Sequence, residues 1–133
     1  MKLSDDIKAK IQAEYDTWQA GQYAGKSKEE RQSKGQFFTP PLLTIKMLEK
    51  FETVENKDIL DPTLGAGGLI AAAVIAGADP TKCYGIELDD KVLSIAKRRL
   101  ALLGVPDENL KCGNALDEQM WAFQAANSKR PLA

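Results

Sequence analysis

The chain has 133 residues, the length of one globular domain. Hydrophobic residues make up 44% and charged residues 28%, as in ordinary soluble proteins, and the net charge of −1 lacks the basic excess of a typical duplex-binding surface. The absence of histidine excludes Ser/His and Cys/His nucleophilic schemes, and Cys83 and Cys112 are too far apart along the chain for a paired metal-ligand motif, so both are expected to be buried thiols.

The chain begins with a pattern that predicts an amphipathic helix over residues 5–20. Ser4 can cap this helix, and Gly21 is expected to end it. Four apolar side chains recur at helical spacing on one face: Ile7, Ile11, Tyr15 and Trp18. A capping-box spacing predicts a second short helix over residues 27–34. Residues 1–34 are therefore predicted to be a helical extension of a main domain at 35–133.

The main domain opens with Thr39-Pro40, a helix-start signal that predicts a helix to about Lys50. Strand and helix patterns then alternate, with strands predicted at 58–61, 82–88 and 109–112, and helices at 69–76, 90–103 and 117–126. Strands separated by helices of this length form βαβ units with a parallel sheet. The expected fold is a Rossmann-like α/β half-domain with strands ordered 3-2-1, closed by a frayed tail at 127–133.

A glycine loop, Asp61-Pro-Thr-Leu-Gly-Ala-Gly-Gly68, joins the first predicted strand to the following helix. Glycines there let the backbone approach a ligand, and the helix start offers free N–H groups. Twenty residues beyond Gly67, Glu87 ends the second strand, where a carboxylate accepts hydrogen bonds from ribose hydroxyls in doubly wound folds. This order predicts a nucleotide site.

The loop's spacing and charge indicate which nucleotide it takes. Its glycines do not follow the G-x-G-x-x-G pattern of dinucleotide sites, and no Lys-Ser/Thr pair follows them as in a phosphate-binding P-loop. The Asp61 carboxylate would repel a pyrophosphate and favour a cation. S-adenosylmethionine lacks phosphates and carries a sulfonium and an ammonium, so it fits this loop. Alternatively, Asp61 is only a turn residue before Pro62.

Four segments of the chain together resemble the cofactor motifs of adenine-N6 DNA methyltransferases. They are, in order, Gly35-Gln-Phe-Phe-Thr-Pro40, Asp61-Pro-Thr-Leu-Gly-Ala-Gly-Gly68, Gly85-Ile-Glu-Leu-Asp89 and Gly113-Asn-Ala-Leu116. The resemblance covers residues 34–120 and is strongest to the modification subunits of restriction–modification systems. It implies S-adenosylmethionine as the cofactor.

The resemblance also implies a set of cofactor-binding residues, which are Phe38, Thr39, Pro40, Asp61, Thr63, Gly65, Gly67, Glu87, Leu88, Asn114 and Ala115. By analogy with the family, the Phe38–Thr39 segment would contact the methionine part, and the glycine loop would line the methionine and ribose. Glu87 would hold the ribose hydroxyls, and Leu88 would pack on the adenine. Asn114 and the Ala115 N–H would contact the adenine edge, although Asn114 also suits a simple turn.

The family's catalytic motif, Asp/Asn-Pro-Pro followed by an aromatic residue, does not occur in the chain. Trp121 and Phe123 are expected to pack rather than to grip an extruded base. No catalytic residue is therefore predicted, and the chain is expected to be a truncated form or a natural cofactor-binding remnant. Two alternatives stay open, a non-catalytic S-adenosylmethionine-binding decoy or regulatory protein and an enzyme that degrades the cofactor.

The expected partners of the chain follow from the strands that the predicted sheet lacks. Without a fourth strand, the outer edge of the first strand, with apolar Ile59 and Leu60, is expected to pair with a second copy or a partner subunit. The N-terminal helix is an alternative cover. DNA binding is expected only with a missing catalytic and recognition half. No metal is expected, and the lack of a signal peptide or an 18-residue apolar stretch predicts a cytoplasmic protein without membrane contact.

Overall fold

The computed structural model describes residues 1–23, 38–122 and 124. The short helix predicted at 27–34 and the tail at 127–133 lie outside these residues. The helices are α1 (Asp5–Tyr23), α2 (Pro41–Leu48), α3 (Gly68–Ile75) and α4 (Asp90–Ala101), and the strands are β1 (Ile59–Asp61), β2 (Cys83–Glu87) and β3 (Leu110–Cys112).

The three strands form one parallel sheet in the order β1-β2-β3. Ile59 is in register with Cys83, and Gly85 with Leu110. Helices separate the strands along the chain, as parallel pairing requires. The prediction of a Rossmann-like α/β half-domain with three parallel strands is therefore confirmed.

The hydrophobic core lies between one face of this sheet and the helices. Ile59, Cys83 and Leu110 supply it from the three strands, while Ile70 of α3 and Leu100 of α4 are fully buried against them. Cys83 is thus a buried thiol as predicted. The same prediction is wrong for Cys112, which ends β3 and is exposed.

Helix α1 is longer than predicted, because it continues through Gly21 to Tyr23. Its start agrees with the prediction, since the Ser4 hydroxyl accepts a hydrogen bond from the Ile7 N–H at 3.1 Å. A glycine ends a helix when it adopts a left-handed conformation, and Gly21 does not adopt a positive φ. The helix packs against α2 and α3. No helix in the described ranges is both long and apolar enough to cross a membrane.

Helix α2 begins one residue later than the prediction, at Pro41. Pro40 has an extended backbone at the N-cap position, with φ −70° and ψ 151°. The cause is the second proline, whose ring disfavours the helical conformation in the residue before it. Thr39 therefore lies outside the helix instead of capping it.

The segment after β3 returns to the start of β1. In the described part of the segment predicted to be helical at 117–126, a 3-10 turn at Glu118–Trp121 begins with the Asp117 carboxylate accepting from the Gln119 N–H, and Ala122 and Gln124 are α-helical. The Trp121 indole donates to the Ala115 carbonyl at 3.0 Å. Further on, the Gln124 amide donates to the Asp58 carboxylate at 2.6 Å. The chain thus runs back from the carboxyl edge of the sheet to its amino edge.

Among the described residues, β1 forms strand pairs only with β2, and Leu60 is half-buried on it. We therefore expect the chain to associate through this edge, with a second copy or with a partner subunit. Light scattering over a range of concentrations should show species larger than a monomer. Leu60→Lys should shift them towards monomer, since a lysine guards an edge strand. The exposed Leu102 provides a matched control, Leu102→Lys, which should have no such effect. A monodisperse monomer at all concentrations would contradict the expectation.

Candidate functional site

Seven of the eleven predicted site residues line cavities at the carboxyl edge of the sheet, where ligands bind in open α/β folds. Two cavities lie at this edge, one of about 480 Å³ and one of about 90 Å³. Thr63 lines both of them. The larger is lined by residues from the glycine loop, the end of β2 and the loop after β3, and the smaller by residues from the glycine loop and α2.

The glycine loop folds back over β2. The Leu64 N–H donates to the Ile86 carbonyl at 3.0 Å, which places the Leu64 side chain directly on Gly85. A Cβ at position 85 would lie 2.6 Å from a Leu64 methyl carbon, closer than real side chains approach. Gly65 and Gly67 adopt φ values of 56° and 85°, a left-handed conformation that glycine takes without strain. Glycine at these positions is therefore a requirement of the loop's shape.

Glu87 joins the three loops at the edge of the sheet. Its Oε1 accepts from the Gly65 N–H at 2.9 Å, and its Oε2 accepts from the Asp89 N–H at 2.8 Å. Its own carbonyl accepts from the Gly113 N–H at 3.0 Å. Each carboxylate oxygen can accept more than one hydrogen bond, so Glu87 keeps acceptor capacity for a ligand hydroxyl in the larger cavity.

Asp61 ends β1 at the smaller cavity and is only 6% exposed. Its Oδ1 accepts from the Thr63 N–H at 3.0 Å. Burial raises the pKa of this carboxyl above its ordinary value of 3.8, and the nearby Glu87 carboxylate raises it further, although the hydrogen bonds from Thr63 act in the opposite direction. A cation placed beside Asp61 would stabilise the ionised form that burial disfavours.

Two leucines stand at the rim of the larger cavity. Leu88 is 75% exposed and Leu116 is 90% exposed. Such exposed apolar side chains flanking a cavity suit a flat apolar group. The family resemblance implies a role for Leu88 but none for Leu116, although Leu116 belongs to the fourth motif.

Asn114 and Ala115 also line the larger cavity. The Asn114 Oδ1 accepts from the Leu116 N–H at 3.0 Å. This bond stabilises a local turn, which is the alternative role that the sequence suggests for Asn114. The structure thus brings Thr63, Glu87, Leu88, Asn114 and Ala115 to one cavity.

The smaller cavity brings together Thr39, Asp61 and Thr63. Thr44 and Met47 of α2 line it as well, and no signal in the sequence distinguished them from ordinary helix residues. Four other predicted residues line neither cavity: Phe38, Pro40, Gly65 and Gly67.

Phe38 is buried away from both cavities. It is 5% exposed and meets the edge of Trp18 from α1, with ring centroids 4.6 Å apart. Its neighbour Thr39 faces the smaller cavity. Within the described residues, no group of three or more histidine, cysteine or acidic side chains could hold a metal ion.

Comparison with known proteins gives two matches. A family model described as N-6 DNA methylase matches residues 19–129 of the chain. The chain is also similar to a tRNA (guanine(10)-N2)-dimethyltransferase of Pyrococcus abyssi (strain GE5 / Orsay), with 31% identity over 99 residues. That alignment covers 71% of this chain but only 29% of the relative, so the chain spans less than a third of its length. No solved structure matches the chain.

The raised pKa of Asp61 predicts a pH-dependent effect of Asp61→Asn. Burial in the fold favours the neutral carboxyl. The contribution of Asp61 to the free energy of unfolding is therefore fully present below pH 3.8, and it is lost as the pH rises through the higher pKa of the folded state. The substituted asparagine would stay neutral and keep an oxygen for the Thr63 N–H. We expect the variant to be more stable than the wild type near neutral pH, with the difference shrinking towards pH 3.8. Urea unfolding across this pH range measures it, and a constant difference would contradict the assignment.

Proposed function

The chain belongs to the N-6 DNA methylase family, and we propose that it forms the S-adenosylmethionine-binding part of an adenine-N6 DNA methyltransferase. The observation that carries the proposal is the pairing of two acidic residues at adjoining cavities. Glu87 offers carboxylate oxygens at the larger cavity, and the buried Asp61 faces the smaller one, with Thr63 between them. One elongated ligand with hydroxyls at one end and positive charge at the other matches this order.

The charge of the site supports S-adenosylmethionine over a phosphorylated nucleotide. Two carboxylates lie close enough for one to raise the pKa of the other, and a pyrophosphate would add like charge to them. The sulfonium and ammonium of S-adenosylmethionine would instead lower the pKa of Asp61. In this arrangement Asp61 and Thr39 take the methionine end of the cofactor.

The larger cavity suits the adenosine end. Its volume of about 480 Å³ lies within the usual range for small-molecule sites. Glu87 would accept from the ribose hydroxyls, while Leu88 and Leu116 would enclose the adenine ring. Asn114 and Ala115 line the same cavity and would contact the polar edge of the adenine ring.

The methyl acceptor is an exocyclic amino group of a nucleobase. The family model names the N-6 position in DNA, and the relative from Pyrococcus abyssi is named for N2 of a guanine in tRNA. Adenine in DNA is the acceptor we propose, within a modification subunit of a restriction–modification system. The 31% identity to the tRNA enzyme makes a guanine in RNA the second candidate.

The cofactor assignment predicts that the chain binds S-adenosylmethionine and that Glu87 variants bind it less well. Glu87→Ala removes a charge-assisted bond to the ribose, and isothermal calorimetry should show affinity lower by about 10- to 100-fold. Glu87→Gln keeps an acceptor for the Gly65 N–H and should lose less.

The matched control for these variants is Glu108→Ala. Glu108 is an exposed acid in the turn before β3 and lines neither cavity, so its loss should leave affinity unchanged. Wild-type affinity in Glu87→Ala would remove Glu87 from the site. A wild-type protein that binds no S-adenosylmethionine would overturn the proposed function.

We further propose that methyl transfer needs residues supplied from outside this chain, since the sequence holds no Asp/Asn-Pro-Pro-aromatic segment for an extruded base. Incubation with radiolabelled cofactor and mixed-sequence DNA should then leave adenine unlabelled, and a parallel reaction with tRNA tests the second candidate acceptor. Labelled adenine would show that other residues of this chain grip the base.

Mass spectrometry of the cofactor is the companion measurement, because breakdown of S-adenosylmethionine without methyl transfer would indicate an enzyme that degrades the cofactor.

A further inference from the structure

Arg99 of α4 is a buried cation beside the candidate site. Its side chain is 4% exposed, yet it lies in the last turn of an otherwise amphipathic surface helix. Its Nη2 and Nε donate to the two carboxylate oxygens of Glu14, at 2.6 Å and 2.9 Å. A guanidinium removed from water needs such a paired partner, because an uncompensated buried charge is strongly destabilising.

The third bond of Arg99 reaches the glycine loop. Its Nη1 donates to the Ala66 carbonyl at 3.3 Å. Ala66 lies between Gly65 and Gly67, whose backbones are the least restricted of the loop, and the Gly65 N–H is the one that donates to Glu87. Arg99 therefore holds the loop at Ala66, one residue from the Gly65 N–H that bonds to Glu87.

A second connection runs from Arg99 to the smaller cavity. Its guanidinium carbon lies 4.0 Å from the ring centroid of Trp18, as in a cation–π contact. Trp18 in turn meets Phe38, and Phe38 precedes Thr39, which lines the smaller cavity. Both Glu14 and Trp18 belong to α1, so this one helix reaches the glycine loop through Arg99 and the Phe38–Thr39 segment through Trp18.

We propose that α1 is a working part of the cofactor site and that Arg99 is the positioning residue through which it acts. Arg99 does not touch the ligand. It fixes the glycine loop, and with it the orientation of Glu87, while Trp18 fixes the Phe38–Thr39 segment. The inference rests on the proposed function for the identity of the ligand, whereas the loop's dependence on Arg99 is independent of it.

The first test uses the full chain without ligand and measures amide hydrogen exchange by NMR. Arg99→Lys keeps the charge opposite Glu14 but loses the planar fork that reaches Glu14 and Ala66 together. The Gly65 amide should exchange faster in this variant, while the amides of β2 keep their wild-type rates. Uniformly faster exchange throughout β2 would mean that Arg99 only stabilises the fold, and would overturn the positioning role.

The second test measures affinity for S-adenosylmethionine by calorimetry. Arg99→Lys should bind about 10-fold more weakly, and Glu14→Gln should change affinity in the same direction. Lys97→Met is the matched control, because Lys97 lies on the same helix and pairs with Asp107 at the surface instead. Affinity in Arg99→Lys equal to that of Lys97→Met would overturn the proposal.

A third variant separates the two cavities. Trp18→Leu should weaken the binding of S-adenosylmethionine and leave that of adenosine, which lacks the methionine part, unchanged. An equal loss for both ligands would contradict a specific effect of Trp18 on the Phe38–Thr39 segment. A wild-type chain that binds neither ligand would overturn the proposed function, while faster exchange confined to Gly65 would still support the hold of Arg99 on the loop.

Discussion

A single buried guanidinium, that of Arg99, connects helix α1 to the glycine loop. Arg99 can leave water only if acceptors surround it, and those acceptors come from α1 and from the glycine loop. Glu14 and Arg99 are 85 positions apart in sequence, so their ion pair forms only when α1 is seated on the fold. The position of α1 and the shape of the loop are thereby linked through one side chain.

Negative charge dominates the carboxyl edge of the sheet. Asp61 and Glu87 end neighbouring strands, and parallel pairing brings them together whether or not a ligand is present. Backbone N–H groups of Gly65, Thr63 and Asp89 partly compensate them. Burial and the neighbouring Glu87 carboxylate raise the pKa of Asp61 despite the hydrogen bonds from Thr63. An edge of this kind favours a ligand that brings positive charge and hydroxyl donors.

The sheet, its strand order and the glycine loop could be predicted because their signals are local. Alternating strand and helix patterns, with Glu87 at the end of the second strand, fix the carboxyl edge without long-range information. The contacts of Arg99 could not be predicted in this way. In sequence it belongs to a basic run on a helix, which is typical of a solvated face. Likewise, Phe38 sits in a motif that predicts a ligand contact, whereas its burial depends on Trp18 from a distant helix.

The close packing of Leu64 on Gly85 limits how this site can vary among homologous proteins. The height of the glycine loop above β2 is set by the thickness of one leucine, so positions 64 and 85 form a size-matched pair. A larger residue at 85 requires a smaller one at 64, or the loop rises and the floor of the larger cavity, which includes Ile86, moves with it. Homologues should therefore exchange these two residues together, and a library aimed at altered cofactor analogues should vary them as one unit.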